Sequence, residues 1–514
     1  MRRSVVAAII GVLTIVQLLA FPMSASADQW SASLTVPPGS AGVSFVDSYH
    51  WNEISDIVAS DGIIPISCSA FTTSGPCALN NPTTSGTVTT LLPPCESSTS
   101  TNCIASMSLG VSSSAMVSST YISTVSGPTT PSDPSLDIPA GSNEELWSNP
   151  LENLGETNTY ATLVAVTFSV YKGQVLSASI DAAIYPYSQI QGTFYPTTIA
   201  SDPTGGIEVQ GGDIDCAYVT STTCGRLEDF PLGTQASLSV RVSNQVGGWF
   251  RGRLEDPTIS ETPFDANSNV ITVSAGVVSV PTLSYVATTA ESISNPSVGA
   301  FFSAFGFTPG DAFGVYEMTD SPGAFTALNA IRDVVNDTAS GEINVWNFGT
   351  LSSWQGTPRE AACLNNQSQV DGIVTTNSMA YQPGPPSLQG GFFSYGVAGM
   401  HYNADGSLVL GTYDLNIRDS VAECLYGFAN APISATVSVT ESSSVTENVA
   451  TTTVQDNDGW LHVGAYGFEF SNPTISVKIT QSSRFKSSIV CIRDHVRKRV
   501  TAFRPVCPRG FKKN

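Results

Sequence analysis

Thr162-Leu163-Val164-Ala165-Val166-Thr167-Phe168-Ser169-Val170 is the stretch whose reading decides the fold class. Val164, Val166, Phe168 and Val170 make one stripe; Ala165, Thr167 and Ser169 make the other. Successive side chains of an extended chain point to opposite faces, so this period of two describes a strand with one face in a core and one in water. The same alternation recurs in both directions along the chain. Leu238, Val240 and Val242 alternate with Ser239 and Arg241. Val437 and Val439 alternate with Thr436, Ser438 and Thr440, and Ile475, Val477 and Ile479 with Thr474, Ser476 and Lys478. Turn chemistry punctuates these runs at Asp202-Pro203-Thr204-Gly205-Gly206, Asp371-Gly372 and Asp405-Gly406. Short strands at regular spacing predict a mainly β chain of serial antiparallel β-sandwich-like domains. Few short helices are expected, with Phe325–Val335 and Pro358–Leu364 the best candidates.

At 514 residues the chain is too long for one hydrophobic core. Composition divides it. Residues 1–27 read as a signal peptide, 28–145 as a Ser/Thr/Pro-rich β region ending near Ser126-Gly127-Pro128, and 146–285 as a β-sandwich-like domain closing near Val280-Pro281. Residues 286–482 follow a polar link at Ser292-Ile293-Ser294-Asn295-Pro296 and carry a candidate split near 355. Residues 483–514 form a basic two-cysteine tail. No repeat of 20–50 residues is evident, which argues against a solenoid or propeller.

Only 12% of the residues are charged, and the net charge of −21 is an average over unlike parts. Residues 28–477 hold 41 acids against one Lys and seven Arg, net −33, whereas 478–514 hold five Lys and six Arg against Asp494, net +10. Nucleic acid is excluded as a partner of the body, because phosphate binding needs clustered cations. The tail alone suits a polyanion such as a cell-wall polymer.

Export is the expected address. Arg2-Arg3, the apolar run Val5–Phe21 and Ala25-Ser26-Ala27 have the order of a secretory signal cleaved before Asp28. No later segment has 18 consecutive apolar residues, so no transmembrane span is expected after cleavage. Ten cysteines suit an oxidising compartment. Their spacing suggests Cys68–Cys77, Cys95–Cys103, Cys216–Cys224 and Cys491–Cys507 as close pairs, which leaves Cys363–Cys424 as one long link.

Motifs that carry chemistry are scarce. His50, His401 and His462 are the body's histidines, without H-E-x-x-H spacing; G-x-S-x-G, P-loop and dinucleotide fingerprints are missing too. No metal or cofactor is therefore expected. Asp456-Asn457-Asp458-Gly459 opens like a calcium loop, but its glycine stands fourth rather than sixth, so it reads as a hairpin turn. Asp213 and Asp215 would share a strand face, stapled by the following Cys216–Cys224, and are the one carboxylate pair offering glycosidase chemistry. Gly247-Gly248-Trp249-Phe250-Arg251-Gly252-Arg253 sets two of the seven body arginines beside aromatics. Trp249, Arg251 and Arg253 are thus candidates for stacking on a sugar and clamping a carboxylate. Their structural alternative is a packed Trp249 with the arginines paired to Glu255 or Asp256.

The tail, Cys491-Ile492-Arg493, Lys498-Arg499-Val500 and Arg504-Pro505-Val506-Cys507-Pro508-Arg509-Gly510-Phe511-Lys512-Lys513, resembles the basic two-cysteine ending of many uncharacterised exported actinobacterial proteins. Cys424-Leu425-Tyr426-Gly427-Phe428, Pro432–Val437 and Asp458-Gly459-Trp460-Leu461 resemble the domain that often precedes it, and Gly248–Arg253 with Pro257 and Val280-Pro281 a further segment. The resemblance covers about residues 230–514, with Asp494 and His495 interrupting the usual basic run. It implies export and surface association and no activity. The resulting expectation is a secreted or envelope-associated, non-enzymatic structural or adhesive protein. The alternatives are a glycoside hydrolase using Asp213 and Asp215 and a carbohydrate-binding protein centred on Trp249.

Overall fold

The computed structural model describes residues 40–45, 55–60, 65–127, 129–194, 198–201, 207–210, 216–304, 314–316, 322–351, 362–364, 368–382, 384–389, 392–426, 433–440, 446–448, 451–457, 459–470, 474–481, 487–493, 496–502 and 506–513. The signal-type segment, His50, the 202–206 turn cluster, and Asp213 with Asp215 lie outside the described residues. Those described are mainly β, in several antiparallel sheets with four short helices. No described helix is long and apolar enough to cross a membrane.

Numbered in chain order, the strands that build the layers are β1 (Ser85–Leu91), β2 (Cys103–Gly110), β3 (Thr159–Tyr171), β4 (Gln174–Gln191), β5 (Gln235–Ser243), β6 (Gly248–Arg253), β7 (Glu255–Pro263), β8 (Ser268–Gly276), β9 (Val278–Thr288), β10 (Gly341–Val345), β11 (Asn347–Thr350), β12 (Val370–Thr376), β13 (Phe392–Ala398), β14 (Leu410–Arg418), β15 (Trp460–Glu469), β16 (Ser487–Arg493), β17 (Val496–Ala502) and β18 (Lys512–Lys513). The helices are α1 (Thr289–Ser294), α2 (Pro296–Ala304), α3 (Pro322–Ile331) and α4 (Asp419–Tyr426).

The largest sheet runs β1-β3-β4-β11-β6-β12-β14-β15 through its centre, antiparallel except where β6 meets β12. A second sheet, β7-β8-β5-β2, faces it. The alternation in β3 explains the layering. Val164, Val166, Phe168 and Val170 share a core with Leu238, Val240 and Val242 of β5 and Ile271 and Val273 of β8. Each such side chain contributes about 1.5–3 kcal/mol on burial. The opposite stripe is not simply wet. Leu163 and Ala165 are buried in a second core with Val280 and Leu283 of β9 and Phe301 and Phe302 of α2. Only Thr167 and Ser169 are half-buried. β3 is therefore a middle-layer strand, covered on both faces over its first half.

Strand pairing joins the stretches that composition separates. β1 pairs with β3 across residue 145, and β11 lies between β4 and β6. β9 runs through Val280-Pro281 and pairs with β10. The polar link at 292–296 joins two helices instead, with only Asn295 extended between them. The Thr288 hydroxyl accepts from the Glu291 N–H at the start of α1, and Pro296 opens α2, where its missing N–H costs nothing. Asp371-Gly372 is not a turn but the buried interior of β12. Asp405-Gly406 is one, with Gly406 at φ +83°. Asn457 pairs with Trp460, which leaves a two-residue hairpin connection closed by Gly459 at φ +85°; a positive φ is what such hairpins require. Phe325–Val335 is helical in part, within α3; the 358–364 candidate falls mostly outside the described residues. All five disulfides form as spaced: Cys68–Cys77, Cys95–Cys103, Cys216–Cys224, Cys363–Cys424 and Cys491–Cys507.

Beside the main sheet, two adjacent carboxyls are buried where the chain enters the strand preceding β3. Glu145 accepts from the hydroxyls of Thr124 (2.7 Å) and Ser142 (2.8 Å). Burial pushes the Glu144 carboxyl up to about 7 from an ordinary 4.5, with Glu145 adding repulsion. The folded chain thus retains a proton that the unfolded chain has released above pH 4.5, so stability falls as pH rises through this window. The fall amounts to about 3 kcal/mol by pH 7. Urea midpoints measured at pH 5 and pH 7.5 should lie closer together in Glu144→Gln than in the wild type; equal separation in both would refute this assignment.

Candidate functional site

The site begins with an alternating strand. In β14, Tyr413, Leu415 and Ile417 enter a third core, shared with Trp249, Val374, Tyr395 and Val463. Asp414, Asn416 and Arg418 occupy the other face, and β7 covers it. Asp414 is fully buried and Asn416 nearly so. All three reach across to β7. Asp414 Oδ2 accepts from the Asp256 N–H at 3.1 Å, the Asn416 amide donates to the Pro257 carbonyl, and Arg418 pairs with the Glu261 carboxylate. A polar strand face is thereby satisfied inside the protein rather than by water.

Two clusters result. At one end stand Asp256, Asp414, His462 and Tyr466. His462, on β15, is the register partner of Asn416 and so shares its face. Its Nε2 lies 2.8 Å from Asp414 Oδ1, and its Nδ1 lies 3.6 Å from Asp256 Oδ1. The Tyr466 hydroxyl donates to Asp414 Oδ1 as well. Burial raises the Asp414 carboxyl above its ordinary 3.8, opposed by its contacts with His462 and Tyr466. β7 is bulged between Glu255 and Thr258, and Asp256 sits there in the left-handed region at φ +47°; such bulges re-aim side chains. The Asp256 side chain is 70% exposed and that of His462 10%. The donor atoms of Asp256, Asp414 and His462 all lie within 4.8 Å of one another, which makes this a group able to hold a metal.

At the other end stand Glu261, Asp371 and Arg418. Glu261 accepts from the Val370 N–H (3.0 Å), the Asn269 amide (3.0 Å) and Arg418. Arg418 also donates to the Val370 carbonyl at 2.9 Å and stacks over the Trp460 ring at 4.6 Å. Asp371, fully buried, accepts at Oδ1 from the Gln369 amide at 3.1 Å. Burial pushes its carboxyl up to about 6, opposed by Arg418.

The sequence-predicted trio falls on the opposite side of the same sheet. Trp249, Arg251 and Arg253 alternate along β6 with Phe250, which points into the first core. Trp249 is 4% exposed, packed in the third core with its ring over Gly372. It therefore offers no open face for a sugar, which corrects the stacking expectation. Arg253 is fully buried. It donates to the Thr376 carbonyl (2.9 Å) and the Ser378 carbonyl and lies 4.8 Å over the Tyr381 ring, in place of the expected contact with Glu255 or Asp256. Asp213 and Asp215 lie outside the described residues.

The tail folds on itself. β16 pairs with β17 and β18 in a three-stranded antiparallel sheet, stapled by Cys491–Cys507. Cys491 is fully buried, while Arg493, Arg497, Lys498, Arg499, Arg509, Lys512 and Lys513 are exposed. Ile492 is the register partner of both Arg497 and Lys512, and Val490 of Arg499. Arg497, Arg499 and Lys512 therefore share one face.

Compared with known proteins, the chain matches no family model, and no curated protein or solved structure is similar to it.

Proposed function

We propose that this chain is an exported, non-enzymatic surface or envelope protein, structural or adhesive in role, that holds a polyanionic wall polymer through its C-terminal sheet. The observation that carries the reading is the basic face at Arg497, Arg499 and Lys512, presented on a stapled sheet by a chain whose body is strongly acidic. The acidic body repels a polyanion and leaves the tail as its point of contact. Export is supported by the signal-type N-terminus and by five disulfides, which persist in oxidising compartments.

Inorganic polyphosphate is a suitable probe. Each cation near a polyanionic surface is worth about 1 kcal/mol at low screening. Replacing Arg497, Arg499 and Lys512 together by Ser should weaken binding about a hundredfold at low salt and flatten its salt dependence. Unchanged affinity in the triple variant would remove the tail from the proposal.

A further inference from the structure

We propose that His462 Nδ1 and the Asp256 carboxylate bind a first-row divalent cation such as zinc, with Asp414 as the buried carboxylate that fixes the imidazole. Asp414 Oδ1 lies 2.8 Å from Nε2, and the same carboxyl accepts from the Tyr466 hydroxyl and the Asp256 N–H, which fixes it beside the ring. With Nε2 turned to Asp414, Nδ1 is the ring nitrogen that faces the exposed Asp256. Nδ1 lies 3.6 Å from Asp256 Oδ1, and the donor atoms of Asp256, Asp414 and His462 all lie within 4.8 Å of one another. A cation between them would take one bond from each.

The spacing suits this. Zinc binds imidazole nitrogen and carboxylate oxygen at about 2.0–2.2 Å, which in a tetrahedral site puts two ligands roughly 3.4 Å apart. The arrangement behind the imidazole is the carboxylate–histidine pairing that orients metal-binding histidines. Glu255 and Asp256 bring further negative charge, and no Lys or Arg pairs with Glu255, Asp256 or Asp414 among the described residues.

A separate observation lies across the sheet. Thr375 is the register partner of Asp414 and shares its face. It is fully buried, and its hydroxyl has no hydrogen-bond partner among the described residues. Imidazole with carboxylate favours zinc and its neighbours over calcium, which takes six to eight oxygens.

The test is equilibrium dialysis of the full mature chain against zinc, manganese and calcium. One zinc per chain is expected, with calcium bound more weakly. His462→Gln should abolish binding, and Asp256→Asn should weaken it at least tenfold. Asp414→Asn should weaken it about 10–100-fold. Asp256 is largely exposed, so its variant keeps the test decisive even where Asp414→Asn fails to fold. Asp337→Asn, beside the separate His401, should leave binding unchanged. Absence of stoichiometric zinc, zinc retained at full affinity in Asp256→Asn, or a preference for calcium would each overturn the proposal.

Discussion

Replacing Cys363 and Cys424 together by Ala should lower the unfolding free energy by about 4 kcal/mol, the largest loss among the five disulfides. The two cysteines are 61 residues apart in sequence, against 8 to 16 for the other four pairs. On the chain-entropy account a cross-link stabilises by restricting the unfolded chain, and the restriction grows with the closed loop. This loop contains β12, β13 and β14, so an unfolded chain without the link must recover the register of two sheets unaided. Cys363 and Leu364 also pack against the third core, to which α4 contributes Val421, Ala422 and Leu425. The comparison is with Cys216→Ala/Cys224→Ala, where a separation of 8 residues predicts a loss of about 2.5 kcal/mol. Urea midpoints of the two double variants decide it. A smaller loss for the long link than for the short one would show that strain or residual unfolded structure outweighs loop entropy.

The β class was legible in β3 because its period survives whatever covers it. What covers it was not legible: Leu163 and Ala165 alternate with Val164 and Val166 in the same way whether their face meets water or α2. The same ambiguity hid the site. Asp414, Asn416 and Arg418 stand at every second position of β14, a pattern identical to that of a solvent face. Only β7, about 160 residues earlier, turns that face into an interior one, through the Asp256 N–H, the Pro257 carbonyl and the Glu261 carboxylate. Local sequence carries no trace of such a partner. The one available signal was scarcity: with His462 and Arg418 among so few basic residues in an acidic body, their placement was informative. Asp371-Gly372 misled for a related reason. Its turn chemistry is outweighed by the neighbours, since Gly372 is the position where the Trp249 ring of the adjacent strand needs room. The tail was readable because charge needs no fold to be counted, and because the Cys491–Cys507 spacing closes a short loop.

Arg418→Ala should destabilise the protein by about 3–5 kcal/mol at pH 7, the cost of leaving a buried partner without its counter-charge. The Glu261 side chain is 6% exposed and that of Arg418 22%. Without the guanidinium, Glu261 keeps the Val370 N–H and the Asn269 amide but loses its only described ion pair. Asp371 keeps the Gln369 amide but loses the Arg418 charge that offsets the repulsion of Glu261. Both folded carboxyls then move further above their unfolded values, and the sign of the pH dependence follows. A group whose folded pKa is raised contributes least above that pKa, so the deficit of Arg418→Ala should be largest near pH 7 and shrink as pH falls toward 4.5. Neutralising both sides gives the contrast. Glu261→Gln/Arg418→Met removes the charges together and should lose far less than Arg418→Ala alone, since a desolvated pair is worth little against an apolar replacement. A double-mutant cycle in urea at pH 5 and pH 7 separates the outcomes. A cost below about 1 kcal/mol for Arg418→Ala, flat in pH, is the behaviour of a surface pair, and would mean that water reaches the layer between β7 and β14.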